Sequence, residues 1–366
     1  MSNNWFEIKN INDFSSPCLV VYPSRIENNI RQMIEIAGGV ELLRPHIKTH
    51  KIAEIIKMQQ EYGITKFKCA TISEADLLGS CKAEDILLAM QPTGKNIKSF
   101  FELIKKYPNS KFSTIVDDKQ IILNINSYAV KENFIIQLWL DINNGMNRTG
   151  IIPDDEAVSI YKYMNSMSNI KPNGLHVYDG HIRHPDFEDR KRECDKQFKL
   201  IYDLKNKIEG NGIIVDTIIA GGTPSFPIHA KRKDIEVSPG TPLLWDFRYS
   251  SAFKDLKFQH AAVLVGNIIS KPGPNLLCIN LGHKSVAAEM DFPRVKFLNI
   301  SLNKQIGHSE EHLIIDCKES NNYAVGDICY AVPTHICPTV PKYNKVFTVN
   351  SGLITSDWKV AARDHS

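Results

Sequence analysis

Between residues 17 and 236, short apolar runs alternate with helical patterns, and this alternation limits the fold of the 366-residue chain more than any other feature. Runs at 19–22, 42–48, 66–72, 85–90, 112–116, 134–142, 173–178 and 217–220 have the length and side chains of buried strands. Between them apolar residues recur three and four apart: Ile26, Ile30, Met33 and Ile34 after the first run, Ile97, Phe100, Phe101 and Ile104 after the fourth. Ser73-Glu74-Ala75-Asp76 reads as a capping box opening one helix. The longest helix is expected at about 189–208. Eight strand-then-helix units in roughly 220 residues predict a parallel sheet closed into a (β/α)8 barrel, whose usual size is about 250 residues.

Past residue 236 the texture changes. Runs at 260–269, 276–281, 295–302, 313–316, 327–332 and 346–349 are separated by Gly, Pro and Asn, with no amphipathic helix of any length. That pattern predicts a mostly antiparallel β-domain. Trp5-Phe6-Glu7-Ile8 is one further extended candidate. The predicted organisation is an N-terminal strand segment (1–16) packing with the β-domain, a barrel (17–236) and the β-domain itself (237–366).

Composition removes several classes of function. Lys and Arg total 44 against 41 Asp and Glu, a net charge of +3 without a long basic run, which argues against nucleic acid as a partner. No stretch approaches the roughly 18 apolar residues that span a membrane. The opening residues, Met1-Ser2-Asn3-Asn4-Trp5-Phe6-Glu7, lack the basic and apolar regions of a secretory signal. The 8 cysteines include no C-x-x-C pair, which points to reduced thiols in a cytoplasm.

In a barrel the chemistry sits at the C-terminal ends of the strands. The second run ends in Arg44-Pro45-His46-Ile47-Lys48-Thr49-His50-Lys51, where a lysine held against apolar neighbours becomes a usable nucleophile or base. The sixth continues into Asn143-Asn144-Gly145-Met146-Asn147-Arg148-Thr149-Gly150 and the seventh into Tyr178-Asp179-Gly180-His181. Tyr178 is either a core aromatic or a flat face for a cofactor ring. The eighth ends in Gly221-Gly222-Thr223, expected to leave two backbone N–H groups open to an anion beside a hydroxyl. Ser238-Pro239-Gly240-Thr241 is a second such turn, and two near one rim suggest a cofactor phosphate. In the β-domain, His335 and Cys337 stand two residues apart, on one side of an extended chain. They are too few for a closed zinc site but suit an open catalytic one; the plain alternative is a buried thiol with an unrelated histidine.

Taken together and in this order, these stretches resemble the fold-type III pyridoxal-phosphate enzymes, the alanine racemase-like group. Within it they are most similar to the D-threonine aldolase and D-serine dehydratase family. The likeness runs from Pro17 to Ser351. It implies pyridoxal 5'-phosphate carried on Lys48, with Arg148 at its phenolic oxygen and Tyr178 against its ring. Gly221, Gly222, Thr223, Gly240 and Thr241 would surround its phosphate. The resemblance also implies a divalent metal ion on His335 and Cys337, a small D-amino acid substrate and a homodimer. Leu281-Gly282-His283-Lys284 and Ser309-Glu310-Glu311-His312 match further family stretches to which no role attaches here. Asn280 stands where relatives often carry aspartate. Cys337 replaces the aspartate of the group's aldolases with a thiol more typical of its dehydratases.

The activity this implies is a lyase acting on D-3-hydroxy amino acids by retro-aldol cleavage to glycine and an aldehyde. His181 or His46 would be the base at the β-hydroxyl. The alternative is a dehydratase, in which Lys48 takes the α-proton and hydroxide leaves, giving a keto acid and ammonia. A racemase would need a second base on the other cofactor face, and a non-catalytic cofactor-binding protein would not need the β-domain. One imidazole and one thiolate favour zinc over manganese.

Overall fold

The first strand of the chain, β1 (Cys18–Val21), does not open the barrel. In the computed structural model, which describes residues 4–364, β1 runs antiparallel to a strand at Ala262–Ser270 and parallel to another at Lys345–Asn350. All four of its residues are buried. A short run buried on both faces reads identically in a parallel barrel and at the centre of an antiparallel sheet, so its periodicity could not place it.

The chain forms two compact units. One comprises Met33–Lys48 and Ile56–Gly240; the other comprises the described residues up to Gln32, Thr49–Ile55 and Thr241–Arg363. In the first unit seven parallel strands follow one another in sequence order: β2 (Lys66–Cys69), β3 (Asp85–Leu88), β4 (Lys111–Val116), β5 (Ile136–Ile142), β6 (Ile170–Val177), β7 (Thr217–Ala220) and β8 (Ile235–Val237). Residues 43–46 lie between β8 and β2. Arg44 donates its N–H to Val237 (2.9 Å), His46 to the Pro239 carbonyl (3.0 Å), and Lys68 to the Pro45 carbonyl (2.9 Å). The run expected as a strand at 42–48 is therefore a closing segment with isolated bridges. Pro45 has no N–H to extend a ladder, and the chain turns at once into a 3-10 turn, Ile47–Thr49.

Leu87, Ile115, Trp139 and Ile219 fill part of this unit's interior. At the N-terminal end of the strands Arg44, 1 % exposed, pairs with Asp85 (2.5 Å) and Glu236 (2.7 Å), while Lys66 reaches Glu236 from β2 (2.5 Å). Burial opposes the Arg44 charge, but the two carboxylates more than restore it. The helix Ile72–Ser80 is capped two residues earlier than expected, by Thr71 rather than Ser73. Thr71 Oγ1 accepts the Glu74 N–H (3.1 Å), and the Glu74 carboxylate reaches back to the Ala70 N–H (2.6 Å). The longest helix is Phe187–Glu209. No helix among the described residues is long and apolar enough to cross a membrane.

The second unit is built on β1 with β9 (Ala262–Ser270), β10 (Leu276–Ile279), β11 (Val295–Phe297), β12 (Lys304–His308), β13 (Leu313–Asp316), β14 (Ile328–Pro333), β15 (Lys345–Asn350) and β16 (Leu353–Lys359). Pairing is antiparallel throughout except between β1 and β15. The extended candidate at Trp5–Ile8 is a set of turns, not a strand. Its Phe6 and Ile8 nevertheless join Val20, Tyr22, Val263 and Tyr330 in one apolar cluster.

Candidate active site

The C-terminal rim of the parallel sheet brings several of the expected residues onto one aromatic face. Lys48 follows the closing segment and Tyr178 follows β6. The Lys48 Nζ lies 5.8 Å from the Tyr178 ring centre, and the Arg148 guanidinium, on the exposed loop after β5, lies 4.8 Å from it. Gly222 backs onto the same ring: a Cβ there would sit 3.1 Å from Tyr178 Cε2. Gly221 has φ +74°, and a Cβ on it would come within 2.8 Å of Ser225 Oγ and 2.9 Å of the His229 ring. The turn therefore requires glycine sterically.

Its N–H groups do not stand open as expected. Gly221 donates to the Val177 carbonyl (3.0 Å) and Gly222 to Ser225 Oγ (3.2 Å). The Gly240 N–H, from the second turn, is 3.4 Å from Thr223 Oγ1. Both glycines thus shape the wall beside Tyr178.

Beneath this turn lies a buried network. Asp179 Oδ1 accepts from Ser225 Oγ (2.7 Å), and Asp179 Oδ2 is 2.7 Å from His229 Nε2 and 3.9 Å from Cys194 Sγ. Among the described residues, Asp179, Cys194 and His229 form a group with three possible metal-ligand atoms close together. The Asp179–His229 spacing is that of a hydrogen bond, whereas two ligands on one zinc stand roughly 3.3 Å apart. Burial opposes the Asp179 charge, but His229 and Ser225 hold its carboxyl below the ordinary range. Burial pushes the Cys194 thiol up, away from the thiolate a metal needs. The group braces the glycine turn.

The two candidate bases differ. His46 Nδ1 accepts the backbone N–H of Lys48 (3.3 Å), so that nitrogen shapes the lysine turn. His181 lies against Gly145 of the Arg148 loop, and its Nε2 is 2.9 Å from Gln197 Oε1. Gln197 donates its amide N–H to Glu193 (2.8 Å), so its oxygen faces the imidazole. His181 therefore carries its hydrogen on Nε2 and keeps a lone pair on Nδ1, a buried atom without a hydrogen-bond partner among the described residues.

In the second unit, Cys337 Sγ is 3.2 Å from Thr49 Oγ1 and 3.7 Å from Thr241 Oγ1. His335 hydrogen-bonds Glu289 through Nδ1. Burial disfavours charge on this imidazole, but Cys337 and Glu289 outweigh it and hold its pKa up to about 9. The carboxylate at Nδ1 is the usual outer partner of a metal-binding histidine. Asp246 fixes the strand end, accepting the Ile336 N–H (3.2 Å); burial raises its own pKa to about 6.

Sequence reasoning did not find Glu289, which is 46 residues from His335, nor the chain Lys68–His176–Asp141 inside the barrel. The stretches 281–284 and 309–312 are joined: the His283 N–H donates to the Ser309 carbonyl (2.8 Å), and at the surface Lys284 pairs with Glu311 (2.8 Å).

The model of the alanine racemase N-terminal domain matches residues 21–244, and that of a putative serine dehydratase domain matches residues 261–349. A D-threonine aldolase from Arthrobacter sp is 24 % identical over 357 residues, covering 96 % of this chain and 93 % of that protein. A D-serine dehydratase from Dictyostelium discoideum is 24 % identical over 377 residues, covering 93 % and 95 %. The crystal structure of a D-threonine aldolase from Filomicrobium marinum shares the fold, with a TM-score of 0.88 at 22 % identity over 96 % of each chain.

Proposed function

Because this chain belongs to the alanine racemase N-terminal domain family, we propose that it is a lyase for D-3-hydroxy amino acids, dependent on pyridoxal 5'-phosphate and a divalent metal ion. Its reaction would be that of a D-threonine aldolase, cleavage to glycine and an aldehyde. The observation that carries this reading is the convergence of Lys48 and Arg148 on the Tyr178 face, with Gly222 against the same ring.

Lys48 would hold the cofactor, Tyr178 would face its ring and Arg148 its phenolic oxygen. Thr223, Thr241 and the backbone of Gly221, Gly222 and Gly240 would bound its phosphate. When bound, the cofactor supplies an electron sink for charge at the substrate's α-carbon. His335 and Cys337 would hold the ion, zinc in preference to manganese because a thiolate is a soft ligand, and the ion supplies charge stabilisation to the β-oxygen. Lys48 is the amine that would move a proton at the α-carbon. His181, with its unpartnered Nδ1 lone pair, is favoured over His46 as acceptor of the β-hydroxyl proton. The eight free thiols support a reducing, cytoplasmic setting, and the reading includes a two-fold homodimer, checked by sedimentation.

Cys337 favours a second reading, dehydration to a keto acid and ammonia. Incubating purified protein with D-threonine and with D-serine, and measuring glycine, 2-oxobutanoate and pyruvate, separates the two. Glycine from D-threonine is the expected result; 2-oxobutanoate as the sole product would replace aldolase with dehydratase. Comparable turnover of the L-isomers would point instead to a racemase.

A further inference from the structure

Inside the barrel, Lys68 on β2 reaches across to β6, its Nζ 3.4 Å from His176 Nε2. β3, β4 and β5 stand between these strands in the sheet, so the contact runs through the interior. His176 Nδ1 is in turn 2.6 Å from Asp141 Oδ1 on β5, its partner in register. All three side chains are buried. An ionised carboxylate only accepts, so Nδ1 carries a hydrogen and Nε2 offers its lone pair to Lys68. One exchangeable proton is then shared between the amine and the imidazole. Tyr178 follows His176 by two residues, just past the end of β6, and the Arg148 guanidinium that lies over its ring also acts on His176.

We propose that Lys68 is a positioning residue of the barrel site: it keeps the shared proton off His176, so that a neutral imidazole of fixed tautomer stands two residues before Tyr178 and its Arg148 partner. The proposal rests on Tyr178 and Arg148 being cofactor contacts. An imidazolium at His176 would repel the Arg148 guanidinium, whose charge already acts on this ring. The charged groups that face Lys68 are Lys48 and Arg44 from the closing segment, Asp141 from β5, His176 from β6 and Asp179 just beyond it. Burial, and then the Lys48 charge, push Lys68 down to about 7, so its proton is exchangeable near neutrality. Burial and then Lys68 hold His176 below the usual histidine range, against the pull of Asp141. Without the Lys68 charge, Asp141 would draw the proton onto the ring.

The test uses the full chain with ¹⁵N-labelled histidine and follows the His176 ring, assigned by its loss in His176→Gln. Wild type should show a hydrogen on Nδ1 alone from about pH 6 to 8. Lys68→Met should take up a second ring proton within that window. Lys68→Gln, which keeps an N–H donor for Nε2 and guards against misfolding of the apolar variant, should preserve the Nδ1–H tautomer at the upper end. In the cofactor-loaded enzyme, the acid limb of kcat/KM should move to higher pH by about one unit in Lys68→Met. A wild-type ring protonated on Nε2 at neutral pH would overturn the proposal. So would ring titration and pH profiles in both variants that match wild type, whatever their turnover. The ring spectra do not depend on turnover, so failure to release glycine or keto acid would count against the proposed reaction and not against this assignment.

Discussion

The two ends of the parallel sheet are both rich in cations, and they use them differently. At the N-terminal end Arg44 is closed in by Asp85 and Glu236, and Lys66 shares the second carboxylate. These charges are answered by the protein itself. At the C-terminal rim Lys48 and Arg148 lean on the π-face of Tyr178 instead. A cation answered by carboxylates holds a fold, whereas one resting on an aromatic face keeps its charge for an incoming group. The Lys68–His176–Asp141 chain lies between these extremes, with one carboxylate for two basic groups.

Exchanging the roles of the two ends would break this comparison. The largest effect is expected for Lys48→Ala, which should lower turnover by more than roughly 10⁴-fold, since general-base catalysis alone contributes about 10²–10⁴. The yellow colour of the loaded protein should vanish with little change in melting temperature; Lys51→Ala should keep the colour. A borohydride-reducible adduct persisting in Lys48→Ala would move the assignment to another lysine.

Next in size is metal removal. Chelation should cost several kcal/mol of transition-state stabilisation, on the order of 10³-fold in rate, with zinc restoring it and the cofactor's absorbance unchanged. His335→Ala and Cys337→Ala should reproduce the chelated state. Full activity with no metal by elemental analysis would remove the ion from the scheme.

Arg44→Met sharpens the contrast from the other end. Leaving Asp85 and Glu236 without their buried partner should destabilise the fold by about 3–5 kcal/mol in denaturant titration, while kcat per folded molecule stays near wild type. A kcat loss larger than the stability loss would make Arg44 part of the site. The smallest effect is expected for Thr71→Ala, which removes one helix cap, at about 1 kcal/mol with no change in kinetics.

The rim was legible in the sequence because its residues follow strand ends and sit in glycine turns, both local signals. The neighbouring level was not. In Lys66-Phe67-Lys68-Cys69 the two lysines alternate with apolar residues, which normally marks a solvent face. Here Lys66 is half-buried against Glu236 and Lys68 is buried against His176, partners 170 and 108 residues away. No local pattern encodes such distances. The last strand of the parallel sheet was missed because β8 is three residues long and follows Asp234 in a left-handed conformation, φ +57°. Of the eight strands expected, β1 belongs to the other sheet and 42–48 is the closing segment; with β8 added, the parallel sheet has seven. The thiol and imidazole two residues apart were visible as a pair, but Glu289 was not.

Pro45 has a consequence for how the barrel breathes. The segment that joins β8 to β2 is fastened by bonds from the Arg44, His46 and Lys68 amides, and the proline subtracts one donor from a ladder already short. It is thus a seam with fewer backbone bonds than the neighbouring strand pairs, and it leads directly into Lys48. Hydrogen exchange at these three amides should outpace that of the β4–β5–β6 core. Anything that fastens onto the lysine should slow it, so that loading of the site can be followed from the backbone without a chromophore or a turnover.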